Sequence, residues 1–163
     1  MRIIVEDRIK QYSPGLQIGL IRANVVNSET SEQLWEELQT ACQRISDSYE
    51  LSWINKRPAI AATRELYKRC GKDPNRYRVS SEALCRRIVK GLGIYRINTL
   101  VDLINLVSIG SGYAIGGFDA DKIVPNLPSE INDFVVLPPF ATLFIETLLL
   151  KYLPNSIPQP SLG

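Results

Sequence analysis

The sequence predicts an α+β domain in which a small β-sheet is covered by helices. Two β-favouring stretches, residues 2–6 and 16–26, stand on either side of a Tyr-Ser-Pro-Gly turn signal at residues 12–15. In the segments that follow, apolar residues recur at helical spacing. We therefore expect a short amino-terminal sheet, followed by a series of helices that pack on it.

The first helix is predicted to start at a capping pattern formed by Thr30 and Gln33, whose side chains can satisfy free amides at a helix start. Its apolar residues are spaced four, three and four positions apart, so they share one face, which we expect to pack against the sheet. These residues are Leu34, Leu38, Ala41 and Ile45.

Three further helices are predicted from their end signals. Pro58 suits a first helical turn, and Gly71 can adopt the left-handed conformation that ends a helix. A third helix is expected after Ser80 or Ser81, either of which can cap it. Asn98 can cap a fourth helix, which is apolar on almost every side and is therefore expected to be largely buried.

Charge is distributed unevenly along the 163 residues, although the net charge is only +2. Residues 56–90 contain eleven Lys or Arg residues and three acidic residues, a net charge of +8, which leaves −6 for the remainder. Such segregation creates a local positive field that attracts a polyanion. A solvated charged face is the alternative that the charges alone leave open.

The composition argues against several classes of site. The chain has no histidine, the commonest general base and metal ligand near neutral pH. Its three cysteines lack the paired spacing of a zinc site or a disulfide framework. The glycines of residues 110–117 fit neither a dinucleotide fingerprint nor a phosphate-binding loop. We expect a cytoplasmic protein with no metal and no cofactor.

Two polar residues interrupt the apolar fourth helix. Asp102 and Asn105 are spaced three apart, so they could line one side of a cleft. A buried carboxylate or amide needs hydrogen-bond partners, and neighbouring backbone could equally supply them. Residue type alone therefore leaves both a site role and a structural role open.

Four motifs follow one another in the middle of the chain. They are RELY at residues 64–67, NRYRVSSEALCRR at 75–87, INTLVDLIN at 97–105 and AIGGFDADKI at 114–123. In this order they resemble the B3/B4 domain family, which includes the editing domain of the phenylalanyl-tRNA synthetase beta subunit and free-standing relatives. The resemblance is strongest over residues 57–123.

The resemblance implies binding of tRNA or aminoacyl-tRNA by a domain that is not a complete synthetase. In the synthetase the domain hydrolyses the ester of tyrosine wrongly attached to phenylalanine tRNA, which makes a deacylase acting in trans the enzymatic hypothesis. Such chemistry needs a positioned water and donors for the developing oxyanion. Asn105 matches the asparagine of the family's V-D-x-x-N motif and is the candidate catalytic residue, which would orient substrate or water.

Three residues are candidates for substrate binding by the same resemblance: Asp102, Gly116 and Phe118. Gly116 stands where the synthetase has a histidine and where the free-standing relatives tend to have glycine. A noncatalytic protein-interaction domain and an amino-acid-binding domain are the alternative functions.

The basic helices supply the candidate tRNA-binding residues. Contacts from arginine and lysine to phosphate bind a nucleic acid without reading its sequence. Pairing of some arginines with Glu65 or Glu82 would instead give them a structural role. The candidates are Arg64, Lys68, Arg76, Arg78, Arg86 and Arg87.

We divide the chain into residues 1–123, a B3/B4-like domain without the family's second β-rich half, and residues 124–163. The latter segment is divergent and contains seven of the ten prolines. A natural shortened chain and a departure of the reading frame near residue 124 both fit it. Its apolar stretch at residues 140–153 is shorter than the about 20 residues of a membrane-spanning helix. We expect it to form a helix that packs, binds a protein partner or drives self-association, rather than one that enters a membrane.

Overall fold

The computed structural model describes residues 7–16, 18–119 and 157–159, and this part of the chain is mostly helical. Its elements are α1 (Asp7–Tyr12), β1 (Arg22–Asn24), α2 (Glu32–Ser48), a 3₁₀ turn (Ile54–Lys56), α3 (Pro58–Arg69), α4 (Ser80–Val89), α5 (Thr99–Ser111) and β2 (Ile157–Gln159).

The small β-sheet predicted beneath the helices is not supported. Its first strand, residues 2–6, lies outside the described residues, and only Arg22–Asn24 remains of the second. This strand pairs antiparallel with Ile157–Gln159 over three residues. Its neighbours Ile21 and Val25 pack instead against buried residues of α2 and α5. The apolar pattern that predicted a strand is thus satisfied by packing on helices.

Helix α2 begins one residue later than its capping pattern predicted. The hydroxyl of Ser31 accepts a hydrogen bond from the amide of Leu34 at 3.3 Å, so Ser31 is the cap. Thr30 is buried, and its hydroxyl donates to Asp102 Oδ2 at 2.5 Å. A short-range pattern could not anticipate this use of Thr30, because its partner lies 72 positions away in the sequence.

The core lies between α2, α4 and α5. Helix α2 packs against the other two helices, and not against a sheet as the sequence predicted. Leu34 meets Leu103 and Val107 of α5 in one buried cluster. Leu38 and Ile109 belong to a second cluster, which also contains buried residues of α4. The predicted apolar face of α2 and the predicted burial of α5 are therefore confirmed.

The predicted end of α3 is confirmed in detail. Gly71 has φ +72°, and its amide donates to Lys68 O at 2.9 Å. The amide of Lys72 donates to Tyr67 O at 2.8 Å, which completes a Schellman motif. The start of α4 differs from the prediction, because neither Ser80 nor Ser81 caps it. Both lie within its first turn, and Val79 precedes them without a side-chain cap.

Arg57 joins the start of α3 to the end of α5. Its buried guanidinium donates from Nη1 to Ile109 O at 2.8 Å and from Nη2 to Gly110 O at 2.9 Å. These carbonyls belong to the last turn of α5, whose carbonyl oxygens have no amide donor within the helix. Gly112 follows with φ +83°. Arg57, one of the eleven basic residues of residues 56–90, thus has a structural role.

The predicted boundary between residues 1–123 and 124–163 stays a prediction. The apolar helix expected over residues 140–153 lies outside the described residues. In the described ranges we find no helix that is both long and apolar enough to cross a membrane.

Candidate nucleic-acid interface

The basic side chains of residues 56–90, here called the basic segment, differ in their exposure to solvent. Arg57 is buried, whereas Arg64, Arg86 and Arg87 are half-buried. The other seven basic side chains are exposed. They are Lys56, Lys68, Arg69, Lys72, Arg76, Arg78 and Lys90.

Glu82 lies at the centre of the half-buried group. It stands in the first turn of α4, and its side chain is only 2% exposed. Arg64 reaches it from α3 with Nη1 2.9 and 3.1 Å from the two carboxylate oxygens. Arg78 Nε lies 3.9 Å and Arg86 Nη1 3.8 Å from Oε1. Three of the predicted tRNA-binding arginines therefore converge on one buried carboxylate.

Arg64 is directed towards the protein rather than towards solvent. Beyond Glu82, its Nη2 donates to Asn75 Oδ1 at 2.7 Å and its Nη1 donates to Pro74 O at 3.1 Å. These bonds tie the loop between α3 and α4 to both helices. The structure therefore gives Arg64 a fold-supporting position, although we had placed it in the tRNA-binding surface.

A cleft of about 640 Å³ opens beside this group. Arg64, Arg78, Glu82 and Arg86 form one part of its wall, together with Asn75. The rest of the wall follows the end of α2 and the 3₁₀ turn, and consists of Glu50, Leu51, Ser52 and Asn55. Eight of the nine lining residues have polar or charged side chains, and the arginines outnumber the glutamates by three to two, so the wall carries a small net positive charge.

A second feature is the exposed loop between α3 and α4. Tyr77 is 46% exposed, with Lys72 Nζ 5.3 Å and Arg76 Cζ 5.6 Å from its ring centroid. We had selected Arg76 but not Lys72. Lys72 occupies the C″ position of the Schellman motif, so the Gly71 signal that ends α3 could have placed it in this loop.

The remaining predicted cations lie on either side of that loop. Lys68 is exposed and lies 3.8 Å from Glu65, which is also 3.6 Å from Arg69. Arg87 donates from Nε to Gly93 O at 2.8 Å and stacks on Tyr95 at 4.3 Å. Lys68 is thus available on the surface, whereas Arg87 also holds the turn after α4.

The predicted substrate residues lie on or near α5. Asp102 is fully buried, and its carboxylate accepts from the Thr30 hydroxyl and from the amide of Ile97 at 3.2 Å. It therefore joins the start of α2 to the start of α5, which is the structural alternative left open by the sequence. Asn105 is half-buried one turn further along α5.

Residues 112–117, here called the glycine segment, follow α5 and fold back along that helix. A Cβ built on Gly117 would lie 3.2 Å from Ile104 Cδ1, and Ile104 directly precedes Asn105. Gly116 is half-buried, and the neighbouring Phe118 is 62% exposed. The chain thus brings the glycine segment close to the helix turn that carries Asn105.

The two buried cysteines offer no activated nucleophile. Burial raises the pKa of Cys42 to about 11. Burial also raises the pKa of Cys85, although the adjacent Arg57 guanidinium opposes that rise. Both thiols are therefore protonated at neutral pH. Within the described ranges, we find no group of three or more His, Cys, Asp or Glu side chains that could hold a metal ion.

These features define a helical domain with a basic surface and a basic cleft. Residues 62–135 match the model of the B3/4 domain family. The match confirms the B3/B4 resemblance inferred from the motifs, and it indicates a function related to tRNA synthetases and nucleic-acid binding. It covers slightly less than half of the chain and runs beyond residue 119, where the first long described range ends. No curated protein and no solved structure matches the chain.

Proposed function

We propose that the protein binds tRNA or aminoacyl-tRNA through the exposed cations of residues 56–90. The main support is the net charge of +8 in a segment where seven of eleven basic side chains are exposed. Phosphates neutralised by lysine and arginine release condensed counterions, which drives association without sequence recognition. Most of this segment lies within the match to the B3/4 family.

The loop around Tyr77 is the centre of this proposed surface. Lys72 and Arg76 lie close to the Tyr77 ring without an ion-pair partner among the described residues, so their charges are available to phosphate. The exposed ring can stack on an unpaired base, as aromatic side chains do in proteins that bind single-stranded RNA. Tyr95, 68% exposed beside Arg87, offers a second stacking surface.

We further propose that the bound substrate is an aminoacyl-tRNA whose ester is hydrolysed in trans. Asn105 would orient the substrate or the attacking water, and the glycine segment near it would allow close approach of the amino acid. Support comes from the V-D-x-x-N motif and from the contact of the glycine segment with α5. In this role Asp102 would act indirectly, by fixing the start of α5.

The test measures binding and deacylation together on a panel of mischarged tRNAs at two salt concentrations. Replacement of Lys72 and Arg76 by glutamate should lower the affinity for tRNA. The slope of log binding constant against log salt concentration, here called the salt slope, should decrease in magnitude by at least about two, one for each lost phosphate contact. Asn105→Ala should abolish turnover without weakening binding. Arg44→Glu is the matched control, since Arg44 is an exposed arginine on α2 outside the basic segment.

The outcomes separate the two parts of the proposal. Salt-sensitive binding without hydrolysis would reject the deacylase and retain the tRNA-binding module. Absence of binding at low salt, or an equal loss in the Arg44 control, would reject the basic surface.

A noncatalytic interaction domain is the second candidate function. It is favoured by three exposed apolar side chains, Leu92, Ile97 and Phe118, which are each about 60% exposed. An amino-acid-binding domain would instead use the region of Asn105 and would not need the charge of residues 56–90. Loss of partner binding in Leu92→Ser and Ile97→Ser, with tRNA binding absent, would select the interaction domain.

A further inference from the structure

The cleft beside Glu82 carries more positive charge than its carboxylates neutralise. Arg64, Arg78 and Arg86 contribute three guanidinium groups to its wall. Glu82 and the exposed Glu50 contribute the acidic side chains, so the wall has a formal charge of +1. Because Glu50 is open to solvent and Glu82 is mostly engaged by Arg64, the field near Arg78 and Arg86 favours an anion.

Arg78 and Arg86 also have many unused donors. A guanidinium has five N–H groups. Within the described part of the chain, Arg78 makes one long hydrogen bond, 3.4 Å to Asn75 O, and Arg86 makes one of 3.3 Å to Leu51 O. Their separations from Glu82, 3.9 and 3.8 Å, are ion-pair distances beyond hydrogen-bond range. Most of their donors therefore lack an acceptor among the described residues.

Two shielded atoms in the same wall have no partner. Arg86 Nε and Asn55 Oδ1 are both hidden from solvent and make no hydrogen bond with any described residue. Shielded polar atoms are nearly always paired in folded proteins. A group that drew the Arg86 guanidinium towards the cleft would give this donor an acceptor. The hydrogen-bonding groups of the wall are thus incompletely satisfied at the place where its charge is in excess.

We propose that this cleft binds the phosphate group of a nucleotide, with Arg78 and Arg86 donating to its oxygens. The planar guanidinium fork matches phosphate geometry, and phosphate provides more acceptor oxygens than a carboxylate. The pair Arg64–Glu82 positions the other two arginines. Ser52 and Asn55 lie in the same wall, where they can bind the sugar hydroxyls. The volume of about 640 Å³ is within the range of small-molecule sites.

The position of the cleft joins it to the proposed tRNA surface. Asn75 and Arg78 line the cleft and lie in the same loop as Lys72, Arg76 and Tyr77. A strand of RNA that contacts that loop can therefore place one phosphate in the cleft. The assignment of this phosphate to the RNA rests on the proposed function. A free nucleotide is the other source of the phosphate, and the experiments below test it.

The first experiment titrates the full-length ¹⁵N-labelled protein with adenosine 5′-monophosphate and follows the arginine Nε–H signals by NMR. The signals of Arg78 and Arg86 should shift, and that of Arg44 should not. Adenosine without phosphate should leave all three unchanged. The variants Arg78→Gln and Arg86→Lys assign the two signals.

The second experiment measures tRNA affinity of these variants against salt concentration. Arg78→Gln should weaken binding about tenfold and lower the salt slope by about one, as expected for one phosphate contact. Arg86→Lys keeps the charge and should lose affinity with an unchanged slope, because only the fork is lost. Arg44→Gln should behave like the wild type. Arg78 is suited to this test because its side chain is 43% exposed and makes no short ion pair.

The results distinguish the cleft from the wider function. No shift with adenosine 5′-monophosphate and an unchanged slope in folded Arg78→Gln would overturn the phosphate site while the tRNA surface stands. Shifts at both arginines without tRNA binding would refute the tRNA function and assign the cleft to a free nucleotide. Absence of both responses in the wild type would reject both proposals.

Discussion

Replacement of Glu82 by glutamine should unfold the protein at a much lower denaturant concentration. The carboxylate is 2% exposed and accepts two hydrogen bonds from Arg64, with Arg78 and Arg86 within 4 Å. Glutamine keeps the size of the side chain but removes the charge, which leaves three guanidinium groups close together without an anion. Removing one partner of a buried ion pair costs about 3–5 kcal/mol. The open cleft gives water some access to the arginines, so we expect about 3 kcal/mol.

The measurement is equilibrium unfolding in urea, followed by the fluorescence of Trp35 and Trp53. With a slope of about 2 kcal/mol per molar urea, the midpoint should fall by about 1.5 M. Glu65→Gln is the matched control, since it is the same substitution on an exposed glutamate whose pairs with Lys68 and Arg69 are 3.8 and 3.6 Å long. Exposed pairs of this kind contribute about 0–1 kcal/mol.

A loss in Glu82→Gln no greater than that in Glu65→Gln would refute the central role of this carboxylate. A double-mutant cycle adds a second check. Arg64→Met should also destabilise the protein, but Arg64→Met in the Glu82→Gln background should cost less, with a coupling of about 2 kcal/mol. Strictly additive losses would mean that the two side chains do not support each other.

Four further predictions concern other parts of the fold. Cys42, with its pKa raised to about 11, should resist maleimide at pH 8 while half-buried Cys70 reacts, as mass spectrometry would show; faster labelling of Cys42 would contradict its burial. The buried thiol binds its proton more tightly in the folded state, so its contribution to stability is complete below pH 9 and is lost as the pH rises towards 11, which unfolding in urea at pH 8 and pH 10 would detect. Asp102→Asn should cost about 1–3 kcal/mol, because an NH2 group then replaces one of the two carboxylate oxygens that face the Ile97 amide, and a neutral amide oxygen accepts more weakly than a carboxylate; Thr30→Val tests the bond to Thr30 from the other side, and no loss in either would reject the link. Gly112→Ala should cost about 1–2 kcal/mol in thermal unfolding, since φ is +83° there, and a neutral result would argue against that conformation.

The parts of the fold that the sequence predicted correctly depend on local signals. Gly71 ends α3 and Asn98 caps α5 through bonds that span three to five residues. Such interactions are encoded in a short window, so their residue types are informative without a structure. The apolar spacing that predicted burial of Leu34 and Leu38 is similarly local.

The failures involve partners that are distant in sequence. Thr30 has the right residue type for a helix cap, but Asp102 of α5 takes its hydroxyl. Arg64 and Lys68 are four residues apart, which suggested one shared basic surface. Arg64 instead turns to Glu82, 18 residues away, and Lys68 stays in solvent. The candidate site was therefore predictable as a region of charge but not residue by residue, because spacing within a helix does not reveal which carboxylate another helix brings close.

This division of the basic residues decides which variants can test function. Charge reversal of Arg86 and Arg87 is the choice that the sequence alone suggests, since both lie in the most basic stretch of α4. Arg86, however, lies 3.8 Å from Glu82, and Arg87 holds the carbonyl of Gly93, so reversal of either charge would disturb the fold along with any nucleic-acid contact. The cationic groups of Lys72 and Arg76 lie 5.3 and 5.6 Å from the centroid of the exposed Tyr77 ring and form no ion pair with a described residue. A change in tRNA affinity in variants at these two positions would report on the surface itself, because the folded core does not depend on their charges.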